Sequence, residues 1–146
     1  MDLSDFLPRL GRLVFSPHIR DLGIAYALAF LIGWNREREA RSAGLRTFPL
    51  VAVAACGFIQ ATERLTAGAP EASARIIEGV ITGMGFIGGG AILKNGGEVH
   101  GTATAAALWA TGAIGVAVAL TAYEVAVVIT GVTVITFYAL GALKRE

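Results

Sequence analysis

The residues that could do chemistry in this chain are few, and they cluster beside long uncharged stretches. Arg36 and Glu37 follow one such stretch, and Arg46 and Thr47 open the next. Glu78 stands before a glycine-rich run, Gly79-Val80-Ile81-Thr82-Gly83-Met84-Gly85-Phe86-Ile87-Gly88-Gly89-Gly90. Thr102 and Thr104 begin a segment made almost wholly of Ala, Thr and Gly. Two readings of Arg46 stand side by side. In one it holds a helix end on the inner side of a membrane. In the other it folds into a helix bundle against Glu37 or Glu78, as buried ionisable groups in membranes usually do for function. Glu78 also suits the first turn of a helix, where a carboxylate meets the helix dipole. Thr102 and Thr104 fit either as helix caps or as hydroxyls in a polar pocket.

Other chemistries find little support. His18 and His100 are isolated, the acids do not repeat at metal-ligand spacing, and no Ser/His/Asp or Cys/His arrangement is present. Glu37 and Glu78 leave a hydrated Mg²⁺ site open, since that ion is satisfied by one or two carboxylates and water. Gly83, Gly85 and Gly88 match GxGxxG, but that fingerprint needs a preceding strand and a βαβ unit that the surrounding apolar run does not supply. No enzyme and no cofactor are expected. The glycines instead offer two GxxxG pairs, Gly79/Gly83 and Gly85/Gly89, whose spacing lets helix backbones approach closely in a membrane. Gly88, Gly89 and Gly90 in succession also permit a broken helix at a polar cavity. Cys56, the single cysteine, lies in an apolar stretch and fits as a small core residue.

The elements that must position these residues follow from the distribution of charge. Only 16% of the 146 residues are charged and 55% are hydrophobic, with mean hydropathy +0.65. Stretches 22–34, 47–62, 79–93, 102–123 and 125–143 contain no Asp, Glu, Lys or Arg. A soluble amphipathic helix would interrupt such runs with charge. The expected fold is therefore an all-α membrane protein of one domain, with five transmembrane helices near 19–35, 47–62, 76–93, 102–123 and 125–143. Residues 1–20 place Leu3, Phe6, Leu7, Leu10, Leu13 and Val14 at helical spacing and are expected to form a short amphipathic interfacial helix. Trp34 falls at the expected headgroup level. Spans 3 and 4 are expected to form the tight centre, with Trp109 among the packing residues, and their glycine faces suit a homodimer. Arg36, Arg38, Arg41, Arg46, Lys94, Lys144 and Arg145 would lie on one side and Arg9, Arg12, Arg20, Arg64 and Arg75 on the other. The larger set belongs inside, which puts the N-terminus outside and the C-terminus in the cytoplasm. A net charge of +1 gives no reason to expect nucleic acid as a partner.

Several segments in this order resemble the MgtC/SapB family of bacterial inner-membrane proteins. They are Gly33-Trp34-Asn35-Arg36-Glu37, Ala43-Gly44-Leu45-Arg46-Thr47, Gly83 to Gly90, and Gly101 to Gly115 with Thr104-Ala105-Ala106 and Trp109. The resemblance implies a helical bundle with its N-terminus outside, and a link to growth at low magnesium and survival inside host phagocytes. It implies an accessory or regulator that binds other membrane proteins, the ATP synthase among them; a transporter or channel for a small ion or solute is the alternative. Three segments depart from the family pattern. Phe48 stands where the family has His after Arg-Thr. Phe86-Ile87-Gly88-Gly89-Gly90 replaces Phe-Leu-Gly-Ala-Gly. Gly101-Thr102-Ala103-Thr104-Ala105-Ala106 replaces Gly-Leu-Thr-Thr-Ala-Ala. Many virulence-type members carry a soluble domain after the last span; a chain ending at Glu146 is closer to the short SapB-like members.

Overall fold

The computed structural model describes residues 16–38, 43–95 and 98–143. The expected interfacial helix falls mostly on residues 1–15, outside the described residues. Five helices occupy the five regions read from charge: α1 (Pro17–Arg38), α2 (Thr47–Thr66), α3 (Pro70–Gly90), α4 (Thr102–Ala119) and α5 (Tyr123–Leu143). Of these, α2 and α4 are long and apolar enough to cross a membrane. The fold is not purely helical. Between α3 and α4, β1 (Leu93–Asn95) and β2 (Glu98–His100) pair antiparallel, with Leu93 opposite His100 and Lys94 opposite Val99. Asn95-Gly96-Gly97 is a hairpin-type turn sequence.

Local chemistry sets the helix ends. The Ser16 hydroxyl accepts a hydrogen bond from the Ile19 amide at 3.3 Å, and Pro17 takes the first helical position. The chain turns into α2 through Gly44, whose carbonyl accepts from the amides of Thr47 and Phe48. Pro70 and Glu71 start α3 six residues before its expected beginning. Glu78 therefore lies in the third turn rather than the first, because Arg75 and Glu78 ride on the helix surface instead of ending it. Gly101 precedes α4 at φ +88°, and a Cβ there would collide with the Ala91 carbonyl, so only glycine fits. At the far end of α4 the Ala122 amide reaches back to Ala117 O and the Thr121 amide to Val118 O. Thr121 itself is left-handed, at φ 59°.

Helix α4 is the centre of the bundle and touches all four others. α3, α2, α1 and α5 wrap around it in that order, and the ring stays open between α3 and α5. The most extensive contact is α2 with α4, not the expected pair of α3 with α4. Gly115 explains it: a Cβ there would run into the Ala52 carbonyl and lie 2.8 Å from Ala55 Cβ. Small residues at both surfaces let the two backbones meet. The core is made of Ala25, Ala29 and Ile32 from α1, Phe48, Val51, Ala52, Ala55 and Cys56 from α2, and Leu108, Ile114 and Val118 from α4. The buried hydroxyls of Thr111 and Thr130 donate to Ala107 O and Ala126 O of their own helices, at 2.8 and 2.9 Å. The outside is apolar as well. Leu50, Phe58, Phe86, Trp109, Val128 and Ile135 are all more than half exposed. A bundle apolar inside and out is what a lipid environment requires and water penalises.

Candidate functional site

α1 carries a buried stripe at Asp21, Ala25, Ala29, Ile32 and Arg36, the i, i+4, i+7 spacing of one helix face. Each end of this apolar stripe is therefore a buried charge. The two are separated by 15 residues, about 22 Å of helix.

At one end the Arg36 side chain is 4% exposed. Its Nη2 donates to Thr104 Oγ1 on α4 at 3.0 Å, and its guanidinium lies 4.3 Å from the centre of the Phe137 ring on α5. A single side chain thus links three helices, through a charge-assisted hydrogen bond and a cation–π contact. Thr104 lies on α4's own buried stripe with Leu108, Thr111, Gly115 and Val118. The neighbouring loop is packed by backbone. A Cβ on Gly33 would sit 3.1 Å from Gly44 O, and one on Gly44 would strike Glu37 Oε2. Glu37 Oε2 accepts from the Leu45 amide at 3.1 Å. The carboxylate thereby fixes the turn that leads into α2. Asn35 is buried here too, and its Oδ1 accepts no hydrogen bond among the described residues.

Only part of the expected constellation comes together. Arg36, Glu37 and Thr104 do so, joined by Gly33, Gly44 and Phe137. Arg46 is exposed at the N-cap of α2, and among the described residues it makes no ion pair with Glu37 or Glu78. Arg36, not Arg46, is the arginine folded into the bundle. Thr47 is half-buried at the start of α2, and Glu78 and Thr102 are exposed. Neither threonine caps α4; its N-cap is Gly101 and has no side-chain cap bond. α3 runs unbroken to Gly90, so the triple glycine ends the helix instead of interrupting it. Of its glycines, Gly88 packs on α4, where a Cβ would be 3.2 Å from Ala105 O. Gly79, Gly83, Gly85, Gly89 and Gly90 face open space. Trp109 is 54% exposed at the opening between α3 and α5, outside the core. It borders an apolar groove floored by Gly112 and Ala113 and walled by Met84 and Ile129.

The other end was missed in the sequence reading. Asp21 is 5% exposed, and its Oδ1 accepts from Arg20 Nε at 3.0 Å and from Tyr123 Oη at 2.8 Å. Arg20 Nη2 donates to the same tyrosine oxygen at 2.7 Å. The cluster ties the start of α1 to the start of α5. The signal was available: Asp21 continues the buried stripe of Ala25, Ala29 and Ile32. Among the described residues no group of three His, Cys, Asp or Glu side chains comes together to hold a metal ion.

Comparison with known proteins gives a family match over most of the chain. Residues 22–146 match the MgtC family. The chain is 40% identical to the protein MgtC of Salmonella typhimurium over 105 residues, which is 72% of this chain and 44% of the relative. It is 34% identical to the protein SrpB of Synechococcus elongatus over 150 residues, 90% of this chain and 82% of the relative. With the protein MgtC of Brucella abortus it shares 40% identity over 92 residues, 63% of this chain and 38% of the relative. The chain thus spans less than half the length of the MgtC relatives that it matches. No solved structure matches. With nearly all of its described helical bundle inside the matched region, the chain belongs to the MgtC family.

Proposed function

We propose that this protein is a multi-pass, non-enzymatic protein of the bacterial inner membrane that supports growth at limiting magnesium by contacting other membrane proteins through its helix faces. All five helices cross the bilayer in this reading, with the N-terminus outside, as the arginine distribution favours. The observation that carries it is the open face of α3. Gly79, Gly83, Phe86 and Gly90 follow one another at helical spacing, all exposed, and a Cβ on any of the three glycines would meet nothing of this chain. A face with such small residues admits a second helix closely. A copy of this chain, giving a homodimer, and a different membrane protein are the two partners it suits.

The layer between the buried charges argues against the transport alternative. From Asp21 to Arg36 the α1 stripe offers Ala25, Ala29 and Ile32, and α4 opposes it with Ile114, Val118 and a Thr111 already bonded to its own helix. An ion crossing this layer would find no ligands to replace its water.

Gly83→Leu tests the proposal. Nothing in the chain obstructs the new side chain, and leucine is a better helix former than glycine by about 0.5–1 kcal/mol. The variant should accumulate like the parent yet lose support of growth at low magnesium. Growth equal to the parent would overturn the contact reading.

A further inference from the structure

We infer that the cavity at the Asp21 end of the bundle binds a phosphoethanolamine group, with its ammonium toward Asp21 and its phosphate toward Arg20. This inference rests on the membrane reading above. The cavity has a volume of about 420 Å³ and is formed by the first turns of α1 and α3, the last turns of α2 and the α4–α5 turn. Those are helix ends, so the cavity lies at the depth of lipid headgroups.

Its walls are divided by chemistry. Ile59, Ile76, Ile77 and Leu120 make an apolar side. Asp21 and Glu63 contribute carboxylates, Arg20 and His18 contribute bases. Both bonds to Asp21 fall on Oδ1, leaving the lone pairs of Oδ2 without a donor among the described residues. Arg20 spends Nε and Nη2 on Asp21 and Tyr123, while Nη1 donates to nothing among the described residues. Its side chain is 58% exposed. The cavity thus presents one acceptor and one donor of opposite charge, next to an apolar wall. Glu63 Oε2 and His18 Nε2 stand 3.9 Å apart at the rim.

A hydrated metal ion uses neither the arginine nor the isoleucines, and an anion alone would meet two carboxylates. A zwitterion satisfies both signs. Its ammonium needs N–H groups to bond Asp21 Oδ2, which a primary amine has and a quaternary choline lacks. Two sources carry this group: an aminophospholipid of the bilayer, with its chains against the exposed apolar helix surfaces, and a free phosphoethanolamine.

The test uses the full chain in detergent, with thermal stability followed during titration by short-chain phosphatidylethanolamine, short-chain phosphatidylcholine and free phosphoethanolamine. Phosphatidylethanolamine should act at roughly one tenth of the concentration of phosphatidylcholine, the scale of one charge-assisted hydrogen bond. Asp21→Asn should abolish the difference. If that variant fails to fold, Glu63→Gln at the exposed rim should reduce the difference, and Ser73→Phe should fill the cavity and remove the response to both lipids. A stabilisation by free phosphoethanolamine as strong as by the lipid assigns the soluble source; none assigns the lipid. Equal action of the two lipids on the parent chain, or a preference unchanged in all variants, overturns the site. An alkaline wash of membranes separates this failure from that of the membrane reading. Protein retained in the membrane without the lipid preference removes only the site; protein released by the wash removes the reading beneath it.

Discussion

Thr104→Val is the sharpest probe of the clamp that joins α1, α4 and α5. Valine nearly matches threonine in shape, so the change removes the oxygen that accepts from Arg36 Nη2 at 3.0 Å and little else. A hydrogen bond to a charged group contributes about 1.5–3 kcal/mol, and the higher part of that range applies because both residues are almost fully buried. Arg36→Met removes the charge, keeps an apolar chain of similar reach, and also loses the contact with Phe137, about 1–2 kcal/mol. In the double variant the valine no longer faces a guanidinium, so the two losses should not add. The coupling should be about 1.5–2 kcal/mol. Reversible unfolding in mixed micelles, read as a shift of the denaturant midpoint, measures all three variants. A Thr104→Val loss below about 0.5 kcal/mol, or a coupling within about 0.3 kcal/mol of zero, would refute the clamp. Exposed Thr102→Val is the matched control and should leave the midpoint unchanged.

Two further substitutions test the packing. Gly115→Ala should cost about 1–3 kcal/mol, because its methyl must displace the α2 backbone at Ala52, whereas Gly83→Ala should be neutral or gain up to about 1 kcal/mol; unfolding midpoints compare the pair. Thr121→Gly should stabilise the bundle by about 1 kcal/mol, since a β-branched residue holds a left-handed backbone at the end of α4, and an unchanged or lower midpoint would contradict that strain.

The bundle was legible because charge is excluded from five stretches and helices follow such runs. The helix ends were less so. Arg75 looked like the end of a loop and Glu78 like a first-turn residue, but α3 carries both on its surface after starting at Pro70. Arg36 and Arg46 flank their helices alike in sequence, and composition does not separate them. Helical phase does: Arg36 is in register with Ala25, Ala29 and Ile32, and the same register would have revealed Asp21. Apart from Gly88, the α3 glycines meet nothing of this chain, and spacing shows that a face is small but not whether the neighbour belongs to the same chain. Gly44 and Gly33 could not be paired from sequence, because their contact depends on how the loop folds back over α1.

Ion flux into proteoliposomes reconstituted with the native chain, measured for Mg²⁺ and for monovalent ions, tests the central claim of a contact protein with a sealed apolar middle. The expected result is flux equal to empty liposomes for every ion, from protein verified as folded and inserted. Flux above that background, lost on Arg36→Met, would contradict the account and make this a transport protein with its path beside Arg36.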